Sequence, residues 1–260
     1  MEGKDQVKKV RAFELDLLRG FALFMMIFMH LSYDIRYILK IDAFGFHEKD
    51  WFWTFIEPIF LCIFVGISGI CCSFSKNNFF RGIKLLGVAL FITFATYIAT
   101  YKMGIECFII FNVLHMLAVS ILVYSLISLI EQKTKASPRL MNVLIAFLGL
   151  YATQVGMQID RFEGVETNLL IPFGITGPNT PFMGDYMPLF PWIGVFLLGA
   201  VVGRTCYSSK ETLFKNAPSV VHKISKPFEF LGRHSLIVYL VHQPLVLGLC
   251  YAIEFLVKKI

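Results

Sequence analysis

The chain has 260 residues, 57% of them hydrophobic and 15% aromatic, with a mean hydropathy of +0.68. Charged residues make up only 16%, against about 25% in soluble domains, which excludes a soluble globular fold because so much apolar surface has to face lipid. The net charge of +6 does not point to nucleic acid, since the basic residues sit between apolar runs and there report topology and anionic headgroups.

A helix needs about 20 mostly apolar residues to cross the hydrocarbon core. Seven segments meet that test, at residues 15–39, 51–74, 82–101, 107–130, 140–157, 186–203 and 235–257. The expected fold is an all-α, polytopic membrane bundle of about seven helices, with residues 1–260 as one membrane domain. The basic N-terminal stretch leads into a run too long for a signal peptide, so the first helix is expected to remain. With the N-terminus cytoplasmic, sixteen Lys and Arg fall on inside segments, Lys4, Lys8, Lys9 and Arg11 among them. Seven fall outside, Lys258 and Lys259 among them. The bias obeys the positive-inside rule. The outside loop 158–185 is rich in Gly and Pro and is read as turns. The inside loop 204–234 is basic and is expected on the membrane surface or over a cytoplasmic mouth. Most of the six cysteines lie in or beside apolar runs, so a disulfide framework is not expected.

The first helix carries the densest set of polar groups. Arg19 and His30 are eleven residues apart, three turns with about 20° left over, and about 16 Å along the axis. Asp16 stands three residues before Arg19 and Asp34 four after His30, so all four share one stripe in a run of Phe, Met, Leu and Ile. Ionisable groups within a span cost at least about 2.5 kcal/mol each and persist where they face protein or a wet cavity. Glu57-Pro58 in the second run, Asn112 and His115 in the fourth, and His242-Gln243-Pro244 in the seventh add to a polar interior. His47 lies in the first outside loop beside Glu48, Lys49 and Asp50, where a solvated side chain is the ordinary expectation. No metal-ligand spacing, nucleophile elbow, P-loop or dinucleotide fingerprint is present, and no metal is expected.

The run Asp16-Leu-Leu-Arg19-Gly, then His30 and Asp34, resembles the bacterial branch of the heparan-α-glucosaminide N-acetyltransferase catalytic-domain family. Similar too are Phe111-Asn112-Val-Leu-His115, the run from Asp185 and Tyr186 through Pro188, Pro191 and Trp192 to Gly199, and Gly232-Arg233-His234 through Tyr239 to His242-Gln-Pro244. The resemblance covers most of the chain and extends to the wider transmembrane acyltransferase clan, in which an Arg-x10-His pattern is tied to acyl transfer. It implies acetyl-CoA as co-substrate, a sugar or glycan amine or hydroxyl as acceptor, and an integral, multi-pass place in a prokaryotic plasma membrane.

By this resemblance the CoA phosphates lie near Arg81, Lys84, Arg139 or Arg204. Arg19 orients the pantetheine or polarises the thioester. His30 takes the acceptor proton with Asp34 setting its tautomer, and a covalent acyl-histidine relay is the alternative. The acceptor is expected against Asp16, Glu57, Asn112, His115, Asp185, Tyr186, Trp192 and His242. Lysosomal members have Asn at the position of His30 and their active histidine in the following loop, where His47 is the nearest match, so either histidine is a candidate base. Those members are also longer, which leaves room for a homodimer. Two other classes fit the polar interior: a proton-coupled transporter or flippase, and a noncatalytic partner whose polar groups fix helix packing.

Overall fold

The computed structural model describes residues 12–257 except 106, 162–166, 179, 182 and 184. The basic residues Lys4, Lys8, Lys9, Arg11, Lys258 and Lys259 fall outside that range. In chain order the helices are α1 (Phe13–Tyr37), α2 (Glu57–Phe74), α3 (Asn78–Met103), α4 (Val113–Thr134), α5 (Pro138–Gly156), α6 (Trp192–Thr205), α7 (Ser219–Arg233) and α8 (Ser235–Val257). No strand occurs among the described residues. A π-helical turn, Phe52–Ile56, leads into α2. Six segments are long and apolar enough to cross a membrane: Phe13–Tyr37, Phe52–Phe74, Asn78–Met103, Val113–Thr134, Pro138–Gly156 and Ser235–Ile253. The protein is thus an all-helical, polytopic membrane bundle. None of the six cysteines is in a disulfide.

Three expectations change. The fourth helix starts at Val113 rather than near Cys107, because Asn112 caps it: its side chain accepts from the amides of Leu114 and His115. The preceding segment is not helical, and threonines one turn apart on α3 serve its backbone. Thr100 Oγ1 accepts from the Cys107 amide at 3.1 Å, and Thr96 Oγ1 from that of Ile109 at 3.2 Å, which keeps irregular backbone away from lipid. The sixth helix begins at Trp192, after Pro188 and Pro191. Its 14 residues span about 21 Å, short of the hydrocarbon thickness of about 30 Å. Within the inside loop 204–234 the chain forms a 15-residue helix, α7.

The chain divides into two compact units, Met1–Ile67 with Ser209–Ile260, and Ser68–Ser208. In the first, α1 packs along α7 and against α8. The α1–α7 crossing is closed by two glycines. A Cβ on Gly20 would lie 1.8 Å from the Phe228 carbonyl oxygen, and one on Gly232 would lie 2.0 Å from that of Asp16. Glu14 ties the chain before α7 to α1, accepting from Thr212 Oγ1 at 2.7 Å and the Leu213 amide at 2.9 Å. In the second unit, α3 pairs with α4 and α5 with α6, while α4 and α6 also touch. Leu90, Phe91, Phe94, Tyr97 and Tyr101 leave one side of α3 exposed and apolar, the composition of a surface that meets lipid.

Candidate functional site

In the first unit the two carboxylates of the α1 stripe, Asp16 and Asp34, are buried, and Arg19 and His30 are half-buried. Asp16 is buried at the α7 crossing, 3.5 Å from Arg233 Nε. Arg19, one turn on, is half-buried. Near the other end of α1 the His30 ring stacks obliquely on that of His242 from α8, with centroids 5.1 Å apart. His242 Nδ1 donates to the Tyr239 carbonyl at 2.6 Å, which leaves Nε2 as its lone-pair nitrogen. Asp34 is buried and accepts from Gln243 Nε2 at 3.3 Å. No hydrogen bond joins His30 to Asp34, whose partner is an amide on the neighbouring helix. Gln243 Oε1 is buried with no hydrogen-bond partner among the described residues. Two histidines, a carboxylate and an amide therefore meet between α1 and α8, where Pro244 also removes one backbone amide of α8.

His47 is not solvated. Only 5% of it is exposed, under the rings of Phe46, Phe52, Trp53 and Tyr33 at 4.5–5.9 Å. Its carbonyl accepts from Trp53 Nε1 at 2.7 Å. Ser32 Oγ gives its single proton to the Met29 carbonyl at 2.9 Å, so it accepts from His47 Nε2–H at 2.8 Å. Nδ1 is then the lone-pair nitrogen, buried and without a hydrogen-bond partner among the described residues. Burial first, and the Arg36 charge second, hold the imidazole below the ordinary histidine range. Arg36 straps this loop to the end of α1, donating to the Ala43 carbonyl at 2.8 Å, to Asp42 at 3.1 Å and to Glu48. Ser32 is two residues from His30, about 200° around the helix. The two candidate bases thus occupy opposite sides of α1 and do not form one pair.

In the second unit the polar groups gather at both ends of α4. At its start His115 is fully engaged, with Nδ1 2.9 Å from Asn112 Oδ1 and Nε2 3.2 Å from Thr93 Oγ1. Asn112 Nδ2 donates to Asp185 at 3.5 Å. Tyr186 donates to the Ile171 carbonyl at 2.6 Å, and burial pushes its phenol up to about 12. Trp192 opens α6 half-buried, and Glu57, in the other unit, is half-buried at the head of α2. At the far end of α4 a cavity of about 330 Å³ is lined by Cys72, Asn78, Tyr124, Ser128, Glu131 and Arg204, among others.

Arg204 makes a two-pronged bond to Glu131, at 2.6 and 2.8 Å, and reaches Asn142 at 2.5 Å. Arg81 donates to Cys72 Sγ at 3.5 Å. Lys84 and Arg139 are exposed and do not line the cavity. Asn78 Nδ2 donates to the Cys72 carbonyl at 2.9 Å, while its buried Oδ1 has no partner among the described residues. Asn112 and Glu131 are nineteen residues apart, about 28 Å along α4, close to the thickness of the hydrocarbon core. Sequence reasoning passed over Ser32, Arg36, Thr93, Glu131 and Asn78 as site residues. Glu131 carries the clearest signal, an acid in the last turns of a helix, where the macrodipole disfavours it unless a cation is near.

A sequence model described as "Heparan-alpha-glucosaminide N-acetyltransferase, catalytic" matches residues 11–244. No curated protein and no solved structure matches the chain.

Proposed function

Because the chain belongs to the heparan-alpha-glucosaminide N-acetyltransferase catalytic family, a family of membrane acetyltransferases, we propose that it moves an acetyl group from acetyl-CoA to an amine or hydroxyl of a sugar or glycan on the other side of the membrane. The observation that carries this reading is the pairing of His30 with His242 beside Asp34 and Gln243 inside the apolar spans. Such groups are costly in lipid and mark a working site. His30 removes the proton from the acceptor as it attacks the thioester carbonyl; the C–S bond then breaks and the CoA thiolate leaves, taking that proton from the imidazolium. His242 faces it across the α1–α8 contact, and Asp34 supplies negative charge one turn away. Arg19 orients the donor on the same stripe.

The donor's polar end fits the cavity at the end of α4. Its size is at the lower limit for ligand pockets, which suits one end of CoA rather than the whole. Asn78 Oδ1 calls for an N–H donor such as the adenine amino group or a pantetheine amide. Lys76 and Arg204 supply positive charge, the latter partly neutralised by Glu131. Arg81 stands beside the cavity on Cys72, whereas Lys84 and Arg139 are exposed away from its lining. Within the second unit, Asn112, Asp185, Tyr186 and Trp192 are the candidate sugar-binding groups. The N-terminus is cytoplasmic, in a prokaryotic plasma membrane.

One observation favours a second assignment of the base: His47 holds a lone pair at Nδ1 in an aromatic enclosure. The test is transfer of radiolabelled acetyl from acetyl-CoA to a panel of amino sugars by purified wild type, His30→Ala and His47→Ala. Loss in His30→Ala with retention in His47→Ala supports the reading. A folded, active His30→Ala enzyme excludes His30 as the base and moves the role to His47.

A further inference from the structure

The three sides of α7 face three different environments. At 100° per residue, Val220, Ile224, Phe228 and Leu231 fall within an arc of about 80°. Ser225, Glu229 and Gly232 make a second side, which is buried on α1. Lys223 and Lys226 stand on the third, with Phe230 between them, and all three are exposed. Val220 and Ile224 are 61% and 66% exposed, so the N-terminal part of the apolar side is uncovered among the described residues, while Phe228 and Leu231 are half-buried.

Contacts with α1 fix which way that side points. His222, on the polar side, meets Phe13 at the start of α1, with ring centroids 4.5 Å apart. Phe228, at the edge of the apolar arc, meets Phe21 and Phe24, each at 5.8 Å. Those two lie eight and eleven residues further along α1, about 12–16 Å deeper in the direction in which α1 enters the bilayer. The helix therefore lies across α1 with its apolar arc turned the way α1 descends and its lysines turned back or sideways. That is the arrangement of an in-plane helix at the boundary between headgroups and acyl chains.

We propose that α7 is an interfacial helix that takes the anionic lipid headgroups of the leaflet α1 enters at its N-terminal end. Val220, Ile224 and Leu231 sit among the acyl chains, and Lys223 and Lys226 hold lipid phosphates. The proposal is independent of the transferase reading. Its occupant is lipid because the apolar arc follows the membrane-spanning helix inward and because the flanking charge is basic.

The full chain is reconstituted in vesicles of phosphatidylcholine and phosphatidylglycerol, with photoreactive p-benzoylphenylalanine in place of Ile224 or of Lys226. On irradiation the expected result is an acyl-chain lipid adduct from position 224, and from 226 at most a headgroup adduct in lower yield. A cross-link from 224 to a second copy or to another segment of the chain overturns the proposal. The headgroup arm compares phosphatidylglycerol retained on wild type and on Lys223→Gln/Lys226→Gln by native mass spectrometry. Both lysines are exposed, so the substitutions leave the α1 contact intact. Roughly fivefold weaker retention per lysine is expected, with phosphatidylcholine unchanged. Equal retention of phosphatidylglycerol overturns it.

Discussion

Gly20→Ala tests the α1–α7 crossing on which one half of the first unit depends. The added methyl would stand 1.8 Å from the Phe228 carbonyl oxygen, 2.6 Å from its carbon and 2.9 Å from the Gly232 amide nitrogen. Cβ contacts below 3.0 Å essentially never occur, and all three atoms are backbone, so no rotamer relieves the clash. The helices have to part by more than about 1 Å, and interiors packed to crystal density do not absorb such a shift locally. Overpacking of this kind costs about 1–3 kcal/mol.

The penalty falls on α7, which lacks the length of a span and is held chiefly by α1 and by the Asp16–Arg233 and Glu14–Thr212 links. The assay is thermal unfolding in detergent together with amide exchange over residues 219–233. Gly20→Ala lowers the Tm and speeds exchange in α7. Gly66→Ala is the control: nothing lies within 4 Å of its Cβ position, so the better helix propensity of Ala leaves stability unchanged or raises it by up to about 1 kcal/mol. Equal behaviour of the two variants would refute the close-crossing argument.

Other outcomes follow from the same contacts. Glu131→Gln removes the charged half of the two-pronged bond to Arg204; a loss of about 1–3 kcal/mol is expected by thermal unfolding, and Arg204→Gln/Glu131→Gln loses less than the single losses combined. Asn112→Ala removes the cap of α4 and the link to Asp185, which costs about 1–2 kcal/mol and appears as faster amide exchange at the first turn of α4. The His47 imidazole is held below its ordinary value of 6.5, so the unfolded chain takes up the proton first as pH falls. The stability His47 contributes is present above pH 6.5 and is lost as pH drops from there towards the lowered folded value. Protection over residues 42–50, corrected for the intrinsic pH dependence of amide exchange, therefore falls at acidic pH, and His47→Gln abolishes that loss.

All six long spans and the stripe on α1 were legible because apolar runs of about 20 residues and a three-turn spacing are local properties. Helix α7 was passed over as a span because its 15 residues are too few, and lysines, Gly232 and Pro227 lower its hydropathy. Its Val220-Ile224-Phe228-Leu231 periodicity was nevertheless present in the sequence. The true starts of α4 and α6 depend on a cap at Asn112 and on Pro188 and Pro191, which a hydropathy window averages away. The burial of His47 had a hint in Phe46, Phe52 and Trp53 close by. Its bond to Ser32 and the strap by Arg36 are tertiary. Asp34 finds Gln243 from 209 residues away in the chain, a partner no spacing on α1 can reveal. The Arg204–Glu131 pair spans 73 residues and joins the ends of α4 and α6, a contact that neither run shows by itself.

The central claim is tested most directly with sealed vesicles of oriented protein, labelled acetyl-CoA on the side of the α1 N-terminus and an amino sugar enclosed on the other. Wild type is expected to deliver labelled sugar to the enclosed compartment and His30→Ala none. Equal labelling by a folded His30→Ala protein, or no labelling by wild type across a panel of acceptors, would contradict it.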